Sequence, residues 1–144
     1  TPSYDLETDF DAEFPTAHIT DSLIEEVKIT FIGENEQIPP VFSAKKIKGK
    51  RAYDIARSGK AVELESNHIK INSMSIDATK FPEIGFEVTC SKGTYIRALA
   101  SDFGKRLDSG ATLIELRRIR SGGQLLEESK SVLEWIEIIQ NSPL

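Results

Sequence analysis

FEVTCSKGTYIRALASDFGKRL, residues 86–107, contains the change of period on which the fold turns. Phe86, Val88 and Cys90 alternate with Glu87 and Thr89, the period of a half-buried strand. Beyond them Ile96, Leu99, Ala100, Phe103 and Leu107 recur at helical spacing. Between the two patterns, Ser91-Lys92-Gly93-Thr94 predicts a tight turn: Gly93 permits an unusual backbone path, and Thr94 caps a helix over 94–107. The charge at this junction has the wrong sign for a helix start. Aligned peptide dipoles place about half a positive charge there, which favours acids. This start carries Lys92 and Arg97 and no acid until Asp102. An anion held at the free N–H groups would account for both cations. The alternative is that both extend into solvent. SKGT lacks the upstream glycine and spacing of a nucleotide-binding P-loop.

Working outward, Thr20 is a suitable N-cap, Glu25 and Glu26 occupy early turns, and Leu23, Ile24, Val27 and Phe31 form an apolar stripe. With Gly33 as the stop, they predict a helix over 21–32. Pro39-Pro40 excludes helix and forces an extended entry into the next segment. A second helix is expected over 50–58, carrying Tyr53, Ile55 and Ala56 and closed by Gly59. Ile69 and Ile71 share one parity, Met74 and Ile76 the other, which predicts a bulge within a strand over 67–79. Thr112 to Ile119 reads as a strand bearing Arg117 and Arg118, with Arg120 just beyond. Val132, Leu133, Ile136 and Ile139 predict a last helix over 131–141. The opening TPSYDLETDFDAEFPT is acidic and lacks a clear period. It reads as an irregular extended segment, begun abruptly, whose aromatics Tyr4, Phe10 and Phe14 dock on something. Adjacent strands with few βαβ signals predict an α+β fold, a mixed, mostly antiparallel sheet with flanking helices.

The 144 residues suit one domain or part of one. No apolar run reaches the length of a membrane span, and the N-terminus has no signal-peptide core. Cys90 is the single cysteine, so no internal disulfide forms, which fits a reducing cytoplasm. His18 and His68 with Cys90 make no zinc spacing, and no metal site is expected. The net charge of −5 hides a pattern. Residues 1–37 carry −9, residues 38–60 carry +6, and residues 91–120 carry +4. Two basic blocks in an acidic chain suggest one anion-binding face if folding joins them. Otherwise they are two solvated surfaces.

The first block is FSAKKIKGKRAYDIAR, residues 42–57, where Lys45, Lys46, Lys48, Lys50 and Arg51 crowd around Gly49, a loop or hairpin tip. Tyr53 and Arg57 lie four apart, on one helix face. Backbone charge with a nearby aromatic suits RNA; a solvated loop is the plain alternative. In LIELRRIR, residues 113–120, strand alternation sends Arg117 and Arg118 to opposite faces, one toward a phosphate or carboxylate. Asp108 in LDSGAT and Asp77 in SIDAT have no base or second carboxylate at a suitable spacing, and neither reads as catalytic.

IPPVFSAKKIKGKRAYDIARSGKAVELE, followed by CSKGTYIRALASDFGKRLDSGATLIELRRIRSG, closely resembles the TruB family of tRNA pseudouridine synthases, and the likeness runs from about Tyr4 to the last helix. The resemblance implies a partial pseudouridine-synthase fold and isomerisation of uridine 55 in the TΨC arm of tRNA, without metal or organic cofactor. The target base would be flipped from its stack. It implies catalytic-site roles for three residues: Arg97 ion-paired with the catalytic Asp, Tyr95 lining the uracil pocket, and Leu116 packing beside them. Lys92, the 45–51 loop, Tyr53 and Arg117 would contact RNA. The family's nucleophilic Asp, in a GxLDPxATG-like motif, and an active-site Tyr lie upstream of the matched region and are not in this chain. Residues 1–144 therefore read as the C-terminal part of the catalytic domain, inactive alone, with no PUA-type domain evident. Its expected partners are tRNA and the missing N-terminal segment, which would supply the carboxylate for Arg97. Without it the chain would be marginally stable or self-associate. The alternatives are a non-catalytic RNA-binding module using the same basic surface and, more weakly, a phosphate-ligand enzyme.

Overall fold

In the computed structural model, which describes residues 1–43, 46–47, 50–51 and 64–141, Thr20 opens the first helix as expected. Its backbone is extended and its Oγ1 accepts from the Leu23 N–H at 3.2 Å. Helix α1 runs Asp21–Ile29 and buries Ile24 and Val27. It stops short of residue 32 because Thr30 caps it, and Gly33, at φ 101°, begins a strand instead of closing the helix. That strand, β1 at Gly33–Gln37, is invisible to hydrophobic periodicity: GENEQ has no apolar side chain.

Strands β2 (Lys46–Ile47) and β3 (Lys50–Arg51) pair antiparallel, with Ile47 opposite Lys50. Lys50 and Arg51 thus belong to an antiparallel strand pair, not to the first turn of a helix. The rest of the expected 50–58 helix, with Lys45, Lys48, Tyr53 and Arg57, lies outside the described residues.

Strands β4 (Asn67–Lys80) and β5 (Glu83–Cys90) form a long antiparallel hairpin, and β1 adds on the other side of β4. The register slips between Ile71 and Ser73. This is the bulge that the parity change predicts. It lets Ile71 and Met74, an odd number of residues apart, both face the core.

Helix α2 runs Ile96–Arg106. Its Leu99 and Phe103, with Leu107 just beyond, meet Ile24, Val27 and Phe31 from α1 and its end, and Ile71 and Met74 from β4. Each such side chain contributes about 1.5–3 kcal/mol on burial. The Phe31 and Phe103 rings sit 5.7 Å apart, tilted. Gly104, inside the helix, is needed for closeness: a Cβ there would lie 2.5 Å from backbone atoms of Gly110 and Ala111, which return across it. The Phe14 ring lies against Gly110 but stays 54% exposed, and Phe10 is more exposed still, so neither is buried by docking.

The chain divides into two units, residues 1–114 and 115–144. The strand expected over 112–119 does not form. Leu113 makes an isolated parallel bridge with Asp5, donating its N–H to Tyr4 O at 2.9 Å. No strand pairs with residues 114–119 among the described residues, and an unpaired segment has no ladder to hold it extended. The alternation that would separate Arg117 from Arg118 therefore does not apply, and both are exposed. The second unit holds a small hairpin, β6 (Arg120–Ser121) with β7 (Gln124–Leu125), and helix α3 at Val132–Asn141. Ser131 and Glu134 cap α3 reciprocally: the Glu134 carboxylate accepts from the Ser131 N–H at 2.6 Å, and Ser131 Oγ from the Glu134 N–H at 3.3 Å. The whole is α+β with antiparallel sheets, as expected. Among the described residues no helix is long and apolar enough to cross a membrane.

Candidate active site

Two residues before Arg97, the chain leaves the turn extended at Tyr95, which occupies the N-cap position of α2 without a side-chain cap. Thr94, the expected cap, instead donates its hydroxyl to Ser91 O at 2.9 Å and closes the turn, with Gly93 at φ 87°. A left-handed φ of this size is readily met by glycine. Lys92 is exposed beside it.

Tyr95 is held from outside the helix. Gln37, 3% exposed at the end of β1, accepts from the Tyr95 N–H at 2.8 Å and donates to the Tyr95 carbonyl at 3.1 Å. One side-chain amide thus satisfies both backbone groups of the residue expected to line the base pocket. Periodicity had no means of selecting Gln37, a polar residue at the end of a polar strand. Gln37→Leu keeps the volume but leaves the Tyr95 amide without this partner, while the Tyr95 carbonyl keeps the Leu99 N–H at 3.0 Å. It is expected to lower stability by about 2–3 kcal/mol in urea unfolding.

Arg97, on the first turn of α2, is gripped by two distant stretches of chain. Its Nη1 donates to Ser3 O at 3.2 Å and Asp5 Oδ2 at 2.9 Å, and its Nη2 donates to Phe42 O at 2.8 Å. The expectation that its carboxylate comes only from outside this chain is corrected here: the carboxylate facing Arg97 is Asp5. Helical spacing could not disclose this pairing, because the two residues are 92 positions apart. It also accounts for the cation at a helix start, since the anion arrives from the acidic N-terminal segment. A guanidinium has five N–H donors. Nε and the second Nη2 hydrogen have no partner among the described residues.

The pair is neither exposed nor sealed, the two side chains being 23% and 25% exposed. Partial burial raises the Asp5 carboxyl, but hydrogen bonds from Ser3 and the Glu7 N–H, together with the Arg97 charge, outweigh it. They hold Asp5 below the ordinary carboxylate value of 3.8. Asp5 follows Tyr4, whose φ of 66° is uncommon for a residue with a side chain. Strain of this kind persists only where surrounding contacts over-determine it. Here they are the Leu113 bridge to Asp5, the Tyr4 N–H bonded to Thr1 O at 3.1 Å, and Lys105 over the Tyr4 ring at 5.4 Å.

Tyr95 and Arg97 thus stand two positions apart at the start of α2, Tyr95 held through its backbone by Gln37 and Arg97 through its side chain by Ser3, Asp5 and Phe42. Leu116 and Arg117 belong to the second unit, where Arg117 lines a shallow recess with Ile119, Arg120, Leu125, Leu126 and Glu127. Of the basic loop, Lys46, Lys50 and Arg51 are in the β2–β3 hairpin and the other candidates are not described. No group of His, Cys, Asp and Glu suited to a metal occurs among the described residues.

Residues 1–96 match the family model for "TruB family pseudouridylate synthase (N terminal domain)". The chain is 53% identical over 140 residues to the tRNA pseudouridine synthase B of Phocaeicola vulgatus, covering 95% of this chain and 60% of that protein. It is 51% identical over 142 residues to that of Parabacteroides distasonis, covering 99% and 60%. Against that of Flavobacterium johnsoniae it is 47% identical, covering 97% and 61%. The chain thus spans about 60% of the length of the curated relatives it matches. The family match takes in Asp5, Gln37 and Tyr95, and the likeness to the relatives continues through the α2 helix that carries Arg97. With two independent kinds of likeness meeting on the residues that fold around one guanidinium, the chain belongs to the TruB family of pseudouridylate synthases.

Proposed function

We propose that this chain is the later part of the catalytic domain of an enzyme that converts uridine 55 in the TΨC arm of tRNA to pseudouridine. The reaction exchanges the ribose C1′–N1 bond for C1′–C5, with a proton leaving C5 and one gained at N1. Composition and oxidation level are unchanged, so the chemistry requires positioning and charge rather than a redox partner. The observation that carries the reading is the fixed guanidinium of Arg97, anchored by Asp5, Ser3 O and Phe42 O, with Nε and one Nη2 hydrogen unpartnered among the described residues. In this reading those donors orient the nucleophilic carboxylate of a segment outside this chain. Tyr95 and Leu116 shape the pocket of the flipped base, while Lys92, Arg117 and the 45–51 loop meet the RNA backbone. Without that segment, the exposed α3 residues Val132, Leu133 and Ile139 and the outer edge of β5 favour self-association.

The test is complementation. The chain mixed with the preceding segment of its reading frame is expected to form pseudouridine at position 55 of a tRNA transcript, and neither piece alone should. If the unbroken reading frame leaves uridine 55 unchanged, the reading fails. Binding to tRNA is expected to weaken with salt, and to weaken further when Lys45, Lys46 and Arg51 are neutralised together.

A further inference from the structure

The ion pair at the centre of the site does not fix its own geometry. Arg97 meets Asp5 through one nitrogen and one oxygen, Nη1 to Oδ2 at 2.9 Å, and not through the paired fork that locks a guanidinium to a carboxylate. A single contact lets both groups pivot, so orientation has to come from the atoms around them.

Ser3 supplies it on both sides. It is completely buried, more so than any other polar residue among the described residues. Its Oγ lies 2.6 Å from Asp5 Oδ1, the carboxylate oxygen that Arg97 does not hold, and its carbonyl accepts from Arg97 Nη1 at 3.2 Å. Thr8 orders the hydroxyl in turn. Thr8 Oγ1 accepts from the Ser3 N–H at 3.2 Å and lies 2.9 Å from Ser3 Oγ. With the single Ser3 hydroxyl proton directed at the carboxylate, the Thr8 hydroxyl becomes the donor to Ser3 Oγ. Donation then runs one way, Ser3 N–H to Thr8, Thr8 to Ser3 Oγ, Ser3 to Asp5, and such chains strengthen each member. The left-handed turn at Tyr4 folds Asp5 back onto this hydroxyl. The Glu7 N–H reaches the same Oδ1 at 3.0 Å and completes its coordination.

We propose that Ser3 is a positioning residue for the reaction: one buried serine sets Asp5 through its hydroxyl and Arg97 through its carbonyl, and so aims the guanidinium. This rests on the synthase reading for its catalytic consequence, though not for its geometry.

The experiment uses the full-length protein that carries this chain. Ser3→Ala is expected to lower the single-turnover rate of pseudouridine formation by about ten- to a hundredfold, with tRNA Kd changed less than about twofold. Ser3→Thr, which keeps the hydroxyl, is expected to recover most of the rate. In parallel, the Asp5 carboxyl is titrated by carbon-13 NMR. Ser3→Ala should raise its pKa and Ser3→Thr should not. A Ser3→Ala protein with the wild-type rate and an unmoved Asp5 titration overturns the proposal. So does a rate loss that Ser3→Thr fails to rescue, or one matched by an equal loss of tRNA affinity, since either marks Ser3 as packing alone. Should the wild-type protein form no pseudouridine, the synthase reading fails while the Asp5 titration still decides the link to Ser3. If Ser3→Ala does not fold, Ser3→Cys, close in volume and a weak donor, takes its place with the same readouts.

Discussion

Arg97→Ala in the complete enzyme is expected to reduce pseudouridine formation by about a thousandfold or more, with tRNA binding retained. The magnitude reflects what the side chain holds. Its removal takes a donor at once from the Asp5 carboxylate, the Ser3 carbonyl and the Phe42 carbonyl. On the proposed reading it also releases the nucleophile. Loss of one partner of a buried pair costs about 3–5 kcal/mol of stability, and a partly exposed pair costs less, so the fold must be checked by circular dichroism in the same preparation. Arg97→Lys is the sharper variant. It keeps the charge, but an ammonium is a point donor and cannot span acceptors lying on separate segments of chain. It is expected to remain at least about a hundredfold below wild type. A folded Arg97→Ala protein within about tenfold of the wild-type rate would remove the basis of the proposed function.

Asp5→Asn is expected to be nearly as damaging to the rate, about a hundredfold, and it carries a signature in pH. The substitution is isosteric, but it removes the charge opposite Arg97 and can place an amide donor against donors. A stability loss of about 2 kcal/mol is expected near neutral pH. Asp5 is held below 3.8 in the folded protein, so the folded state binds its proton more weakly than the unfolded chain does. Its contribution is therefore complete above about pH 4 and disappears as pH falls through the lowered value. Urea midpoints of wild type and Asp5→Asn should differ near neutrality and converge in strong acid. A difference constant with pH would mean that the stabilisation from Asp5 is not that of its charge.

These two residues also mark the boundary of what could be read without coordinates. The helices over 21–32 and 94–107 were legible because burial on a helix leaves a repeat in the sequence: Ile24, Val27 and Phe31 on one, Leu99, Phe103 and Leu107 on the other. The bulge in β4 was legible for the same reason, since Ile71 and Met74 could both be buried only if the register slipped. Arg97 stood out because a cation opposes the helix dipole there, and Asp5 answers it, whereas Lys92 is exposed. The motifs around them carried the family.

What tertiary structure alone decided concerns partners. Strand β1 exists because β4 pairs with its backbone, and GENEQ has no side-chain pattern to betray it. Residues 114–119 have strand-like composition and, among the described residues, no strand beside them, so they stay irregular. Tyr95 rather than Thr94 stands at the helix start because Gln37, 58 positions earlier in the chain, bonds both its backbone groups. Asp5 looked like one acid among ten in residues 1–37 until the fold laid it against Arg97. Local propensity and period are properties of neighbouring residues, so the sequence by itself determined helices α1 and α2, the bulged strand β4 and the site at the start of α2 where a cation stands against the helix dipole. A hydrogen bond or ion pair between residues far apart depends on where the intervening chain runs, and only the folded structure decided which anion that site holds.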